Sequence, residues 1–217
     1  MLEDANLDEN YSGEVNSSER DETKAWGTSF EVGGVTYAAS LFWQPLQNRD
    51  DPFVEIIEAS ENVLEGADLF CMKPGKSPQF GLCVSYQGYK KKMAAAAVSV
   101  STALADRSSF LAVFKVSNGW WYVCARNDII LSDGDMLFLN EEDAKEQFMS
   151  MLAVPDWGRK IAPEEWGLDD IEKIYRLKAC LIKAQPQNCK KLEHCAGQNC
   201  LPWLRQSALL LFGLFQL

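Results

Sequence analysis

The chain has 217 residues, enough for one domain of ordinary size with tails. Its 47% hydrophobic and 11% aromatic content supplies a real core, which excludes wholesale disorder. The net charge of −10 is uneven: residues 1–22 hold eight acids against Arg20 alone, leaving 23 acids and 20 bases for the rest.

Read in chain order, residues 1–27 form an acidic, polar leader with too little apolar surface to offset its ordering entropy. The leader has neither the basic start nor the apolar run of a secretory signal, so the main domain is expected to stay in the cytoplasm. The body, 28–183, opens with a hairpin: Gly33-Gly34 sits between two β-prone runs. Asp50-Asp51-Pro52 then starts a helix, with Phe53, Ile56, Ile57, Val63 and Leu64 on its apolar side and Gly66 as its stop. Two strands follow at 68–73 and 79–86, joined by a Pro/Gly turn. A small-residue helix spans about 91–106, where Ala94 to Ala97 permit close approach to a sheet.

Residues 109–116 and 120–126 read as a second hairpin, whose Asn118-Gly119 pair suits positive φ. Asn127-Asp128 turns into a short strand at 129–131, and Ser132-Asp133-Gly134 turns again into a strand at 135–139. Asn140 caps a helix whose first residues, Glu141, Glu142 and Asp143, suit its N-terminal dipole. An extended piece at 159–162, a helical turn from Pro163 and a helix over 169–183 complete the body. Strands and helices interleave without strict βαβ alternation, which defines an α/β class with a mixed sheet and flanking helices. A polar linker is drawn over 184–202. The apolar tail, 203–217, is the possible start of a transmembrane helix, although 207–217 is too short to cross a bilayer.

No motif carries a complete active site. Gly75-Lys76-Ser77 resembles the end of a phosphate loop, but Phe70 stands where its first glycine is needed. Asp133-Gly134-Asp135 lacks the repeated oxygen ligands of a calcium loop. Cys180, Cys189, His194, Cys195 and Cys200 contain no CxxC pair, so a zinc site is the minor alternative to a linker with free thiols. Cys71, Cys83 and Cys124 lie in apolar runs and read as buried, reduced thiols. Lys90-Lys91-Lys92 is a solvated charge run, with anionic lipid headgroups as its alternative partner. The charge pattern argues against nucleic acid. Adjacent strand residues face opposite ways, so one of Trp120 and Trp121 enters the core and the other is a candidate partner anchor.

The order of these motifs resembles the PilO-type pilin accessory family of type IVb pilus systems. The matching pieces are Leu41-Phe42-Trp43-Gln44-Pro45-Leu46, Gln79-Phe80-Gly81-Leu82 and Ser108 to Phe114. They continue through Gly119-Trp120-Trp121-Tyr122-Val123, Ala125 to Ile130, Gly134-Asp135, Glu141 to Ala144, and Ile161 to Trp166. The resemblance implies the cytoplasmic domain of an inner-membrane component, with a fold akin to the actin-like, RNase H-like domain of type II secretion platform proteins. It implies no nucleotide hydrolysis; no metal or cofactor is expected, since the candidate ligand spacings do not suit one. Its implied partners are the pilus assembly ATPase and the polytopic inner-membrane platform protein, with homo-oligomerisation as a further arrangement.

The function expected is therefore a non-enzymatic assembly factor on the cytoplasmic face of a bacterial inner membrane. The candidate interface comprises Trp120, Trp121, Asp128, Asp133 and Asp135, and Trp121→Ala is expected to weaken binding while sparing the fold. The alternatives are a small enzyme or metal-dependent regulator built on the Cys/His tail, and a truncated product without function.

Overall fold

A computed structural model describes residues 26–104, 109–172, 177–178, 181 and 187–192. Three sheets share the described body. The largest has the order β1-β10-β9-β8-β11, formed by Trp26–Gly27, Ile129–Phe138, Gly119–Arg126, Phe110–Val116 and Arg159–Ile161. A four-stranded sheet runs β12-β5-β6-β4, from Lys190–Lys191, Leu69–Lys73, Gln79–Cys83 and Phe42–Pro45. The smallest is β2-β3-β7, from Ser29–Val32, Val35–Ala38 and Ala94–Ala95. The described helices are α1 (Pro52–Asn62), α2 (Ala96–Ala103) and α3 (Glu141–Leu152). The chain is thus mixed α/β, with sheets dominating.

Strand alternation explains the layering of the large sheet. Phe110, Ala112, Phe114, Trp121, Val123 and Ala125 point into the principal core, shared with the smallest sheet and α2. The intervening Leu111, Val113, Tyr122 and Cys124 point the other way, onto Ala144 and Phe148 of α3 and onto Trp166. A third core lies under α1, where Ile56 meets Phe70, Phe80 and Leu82 of the four-stranded sheet. After the β8–β9–β10 antiparallel meander, α3 leads to β11, which returns parallel to β8 along its free edge.

Local chemistry places most of these elements where the sequence puts them. Gly33 and Gly34, at φ 61° and 78°, close the first hairpin. Asn140 accepts the Asp143 N–H at 2.8 Å and caps α3. Trp166 reinforces that helix start by donating its indole N–H to Glu141 at 2.7 Å. Pro52 opens α1 as expected, but Asp51 makes no side-chain cap; its own N–H is taken by Asn48 Oδ1 at 3.0 Å.

Several expectations need correction. The helix drawn over 91–106 begins only at Ala96, because Ala94 and Ala95 form β7 against Tyr37 and Ala38. The α1 helix ends at Asn62, leaving Val63 exposed rather than on its apolar face. Positive φ falls at Asn127 and Asp128 (50° and 65°), and not at Asn118. The separate strands at 129–131 and 135–139 are one strand, β10, bulged between Ile130 and Asp135. The supposed Ser132–Gly134 turn is that bulge. A Cβ on Gly134 would lie 2.7 Å from the Cys124 carbonyl oxygen, so only glycine lets β10 press this closely on β9.

Residues 187–192, drawn within a polar linker, belong to the folded body. Ala95 N–H donates to Gln187 O at 2.9 Å, and Cys189 N–H to Met93 O at 2.8 Å. The next two residues form β12, antiparallel to Leu69 and Phe70. This strap therefore laces the smallest sheet to the four-stranded one. Most of the helix expected over 169–183, the acidic leader up to residue 25 and the apolar tail lie outside the described residues; Leu177 and Leu181 pack against the principal core. Among the described residues, no helix is long and apolar enough to cross a membrane.

Candidate partner surface

Of the five residues expected to form an interface, the structure brings Trp121 and Asp135 together in the interior. Asp135 projects from the bulged strand β10 toward the loop before β4, at 3% exposure. Its carboxylate accepts four N–H donors: Trp121 Nε1 and Trp43 Nε1, each at 2.9 Å, and the backbone of Ser40 at 3.0 Å and Leu41 at 3.3 Å. Burial pushes its carboxyl above the ordinary aspartate value, while these four donors pull it back down. Every partner is a donor, so hydrogen bonding favours the carboxylate while burial favours the acid, and burial is the larger of the two.

Ser40 is bent to φ 58°, and it secures the same junction from the other side. Its hydroxyl donates to Gly27 O at 2.8 Å and accepts Leu137 N–H at 2.9 Å. Trp121 packs on Phe30 and Phe114, with ring centroids 5.1 and 5.7 Å apart. Trp121 and Asp135 are accordingly struck from the interface. Truncating either attacks the fold.

Asp128 is paired but stays partly open to solvent, its side chain 37% exposed. The buried Lys73 ammonium donates to its carboxylate at 3.1 Å and to its backbone carbonyl at 2.7 Å. Nearby, the Gln79 amide behaves as a length of strand: it donates to Ile130 O at 2.9 Å and accepts Ile130 N–H at 2.8 Å. Asp135, Gln79 and the Lys73–Asp128 pair are three polar latches across one seam, between the four-stranded sheet and β10. Gln79 and Lys73 were missed in the sequence. Their signal was polar side chains at strand positions otherwise wholly buried.

Trp120 and Asp133 remain at the surface. Trp120 is half-buried against the α3-side core, with the Lys115 ammonium 5.7 Å from its ring centroid. Leu139, half exposed at 50%, and Met149 on α3, at 43%, are large apolar groups open to solvent elsewhere. A hollow of about 330 Å³ lies between Ala162 and Ile171, walled by Pro163, Glu164, Asp169 and Asp170.

The cysteines divide by position. Cys71, Cys83, Cys124 and Cys189 are free and buried. Burial pushes the Cys124 thiol up to about 12, and a hydrogen bond to Cys189 together with burial holds the Cys83 thiol far above its usual value. Cys189 thus belongs to the principal core. Cys180, His194, Cys195 and Cys200 lie outside the described residues. Among the described residues, no group of His, Cys, Asp and Glu is arranged to hold a metal.

The fold defines a sheet-dominated α/β domain, latched by polar groups between its sheets. A similar arrangement occurs in the crystal structure of the cytoplasmic domain of BfpC. The two superpose with a TM-score of 0.58 at 18% sequence identity, over 76% of this chain and 97% of that one. The likeness covers nearly all of that domain and establishes a shared fold. No protein-family model and no curated protein sequence matches the chain.

Proposed function

We propose that this chain is the cytoplasmic domain of a type IV pilus assembly component, a non-enzymatic docking element between a motor ATPase and a polytopic membrane platform protein. The observation that carries the reading is the fold shared with the BfpC cytoplasmic domain across 97% of its length. The motif order resembling PilO-type accessory proteins supports it separately. The meander β8–β9–β10, followed by α3 and a parallel β11, supports an actin-like, RNase H-like relation. The body lies at the cytoplasmic face of the inner membrane in this reading, and homo-oligomerisation is compatible with it.

Trp120 takes over the anchor role assigned to the Trp pair. It offers an aromatic face beside a cation, a combination suited to the centre of a contact, with the exposed Asp133 as a separate acidic contact. The test is capture of the assembly ATPase of the same pilus system by the purified full chain. The wild type retains the ATPase and the folded Trp120→Ala variant loses most of it. Equal capture by that variant removes Trp120 from the site; no capture by the wild type, with the platform protein also present, removes the docking function.

A further inference from the structure

We propose that one corner of the domain, built from the loop 85–93 and the strap 187–192, is an electrostatic docking surface for anionic lipid headgroups. The strap brings together two lysine runs about a hundred residues apart in sequence. Lys92 N–H donates to Cys189 O at 2.9 Å, which places Lys90-Lys91-Lys92 beside Lys190-Lys191. Lys90, Lys91, Lys92 and Lys190 are exposed, and Lys191 is half-buried. Among the described residues, the first four form no ion pair. This is a concentrated positive corner on a chain of net charge −10.

The loop is held in shape rather than left to drift. Tyr89 is buried and donates its hydroxyl hydrogen bond to the carbonyls of Ala39 and Ser40, at 2.7 and 3.0 Å. Asp68 accepts from the Ser85 N–H at 2.7 Å and the Ser85 hydroxyl at 2.6 Å, which pins the start of the loop. Between these anchors stands Tyr86, 80% exposed. An aromatic with a polar tip beside several ammonium groups is the composition favoured at a membrane–water interface.

Continuity of the chain selects a membrane as occupant. The strap leads directly into 193–217, whose sequence ends in the apolar run 207–217 and carries Arg205 with Glu193 as its only acid. Basic residues flanking an apolar segment mark the side facing anionic cytoplasmic lipid. The inference rests on the membrane-proximal reading above and names the surface that would face the bilayer.

The test is co-sedimentation of the full chain with vesicles of phosphatidylcholine alone, or of equal parts phosphatidylcholine and phosphatidylglycerol. The wild type prefers the anionic vesicles roughly tenfold or more at low salt, and the preference collapses as salt rises. The variant K90Q/K91Q/K92Q/K190Q binds both vesicles alike, at the wild-type level for neutral lipid, with an unchanged melting temperature. Lys91→Gln alone, at an exposed site, lowers the preference by a factor of up to about five, and Tyr86→Ala weakens binding to both vesicle types. A wild type with no anionic preference overturns the proposal, as does a fourfold variant that retains it. ATPase capture is scored separately, so loss of lipid preference with capture intact rejects this surface without rejecting the docking function.

Discussion

Two regions use the same kind of residue in opposite ways. At the seam between β10 and the four-stranded sheet, Asp135, Trp121, Lys73 and Gln79 turn inward and find partners there, with the partly exposed Asp128 as the partner of Lys73. At the corner formed by the 85–93 loop and the strap, lysines and a tyrosine are anchored by their backbones while their side chains reach solvent. A charged residue in a turn-like sequence is therefore no guide to exposure. What decides is whether buried donors converge on it. Four do so on Asp135, and among the described residues no ion pair holds Lys90, Lys91, Lys92 or Lys190.

The sharpest way to break this contrast is at the seam. Asp135→Ala strands four donors in a buried site and is expected to destabilise the domain by about 3–5 kcal/mol, measured by urea unfolding. Trp121→Ala opens a cavity between Phe30 and Phe114 and also frees an Asp135 oxygen, for a loss of about 3–5 kcal/mol in the same assay. Gln79→Leu leaves the Ile130 N–H and carbonyl unpaired, and is expected to cost about 2–3 kcal/mol.

The seam also has a pH signature. The Asp135 carboxyl is raised above its ordinary value, so the native state binds its proton more readily than the unfolded chain does. Its contribution to stability is then largest below the ordinary aspartate value and is lost as pH rises through the raised native value. Unfolding free energies of wild type and Asp135→Asn, compared between acidic and neutral pH, should show the wild type losing relative stability with rising pH. A constant difference would mean that the donors fully offset burial. At the other extreme, K90Q/K91Q/K92Q/K190Q is expected to change stability by no more than about 0.5 kcal/mol.

Much of the framework was legible in the sequence because its signals are local. Gly33-Gly34, Pro52 and Asn140 each act on the backbone within a few residues. The alternation through 110–126 fixed both faces of the large sheet, and it required one Trp of the pair to be buried without saying which. That choice depends on Phe30, far upstream in the chain, and on Asp135 of the bulged neighbouring strand. The bulge at Ser132–Gly134 looks identical to a turn by composition, since Asp and Gly suit both; pairing with β9 across it makes the difference. The strap was unreadable for a similar reason. Its polar residues attach through backbone hydrogen bonds to Met93, Ala95, Asp68 and β5, which no side-chain pattern announces. Of the five candidate interface residues, Trp121 and Asp135 are buried against each other, whereas Trp120, Asp133 and the partly exposed Asp128 keep access to solvent.

The most direct test sets the two adjacent tryptophans side by side, in both unfolding and ATPase capture. Trp121→Ala should lose about 3–5 kcal/mol of stability, whereas Trp120→Ala should lose only about 1–2 kcal/mol, stay folded and fail to capture the motor. A stable Trp121→Ala variant that loses capture, next to a Trp120→Ala variant that keeps it, would contradict the account.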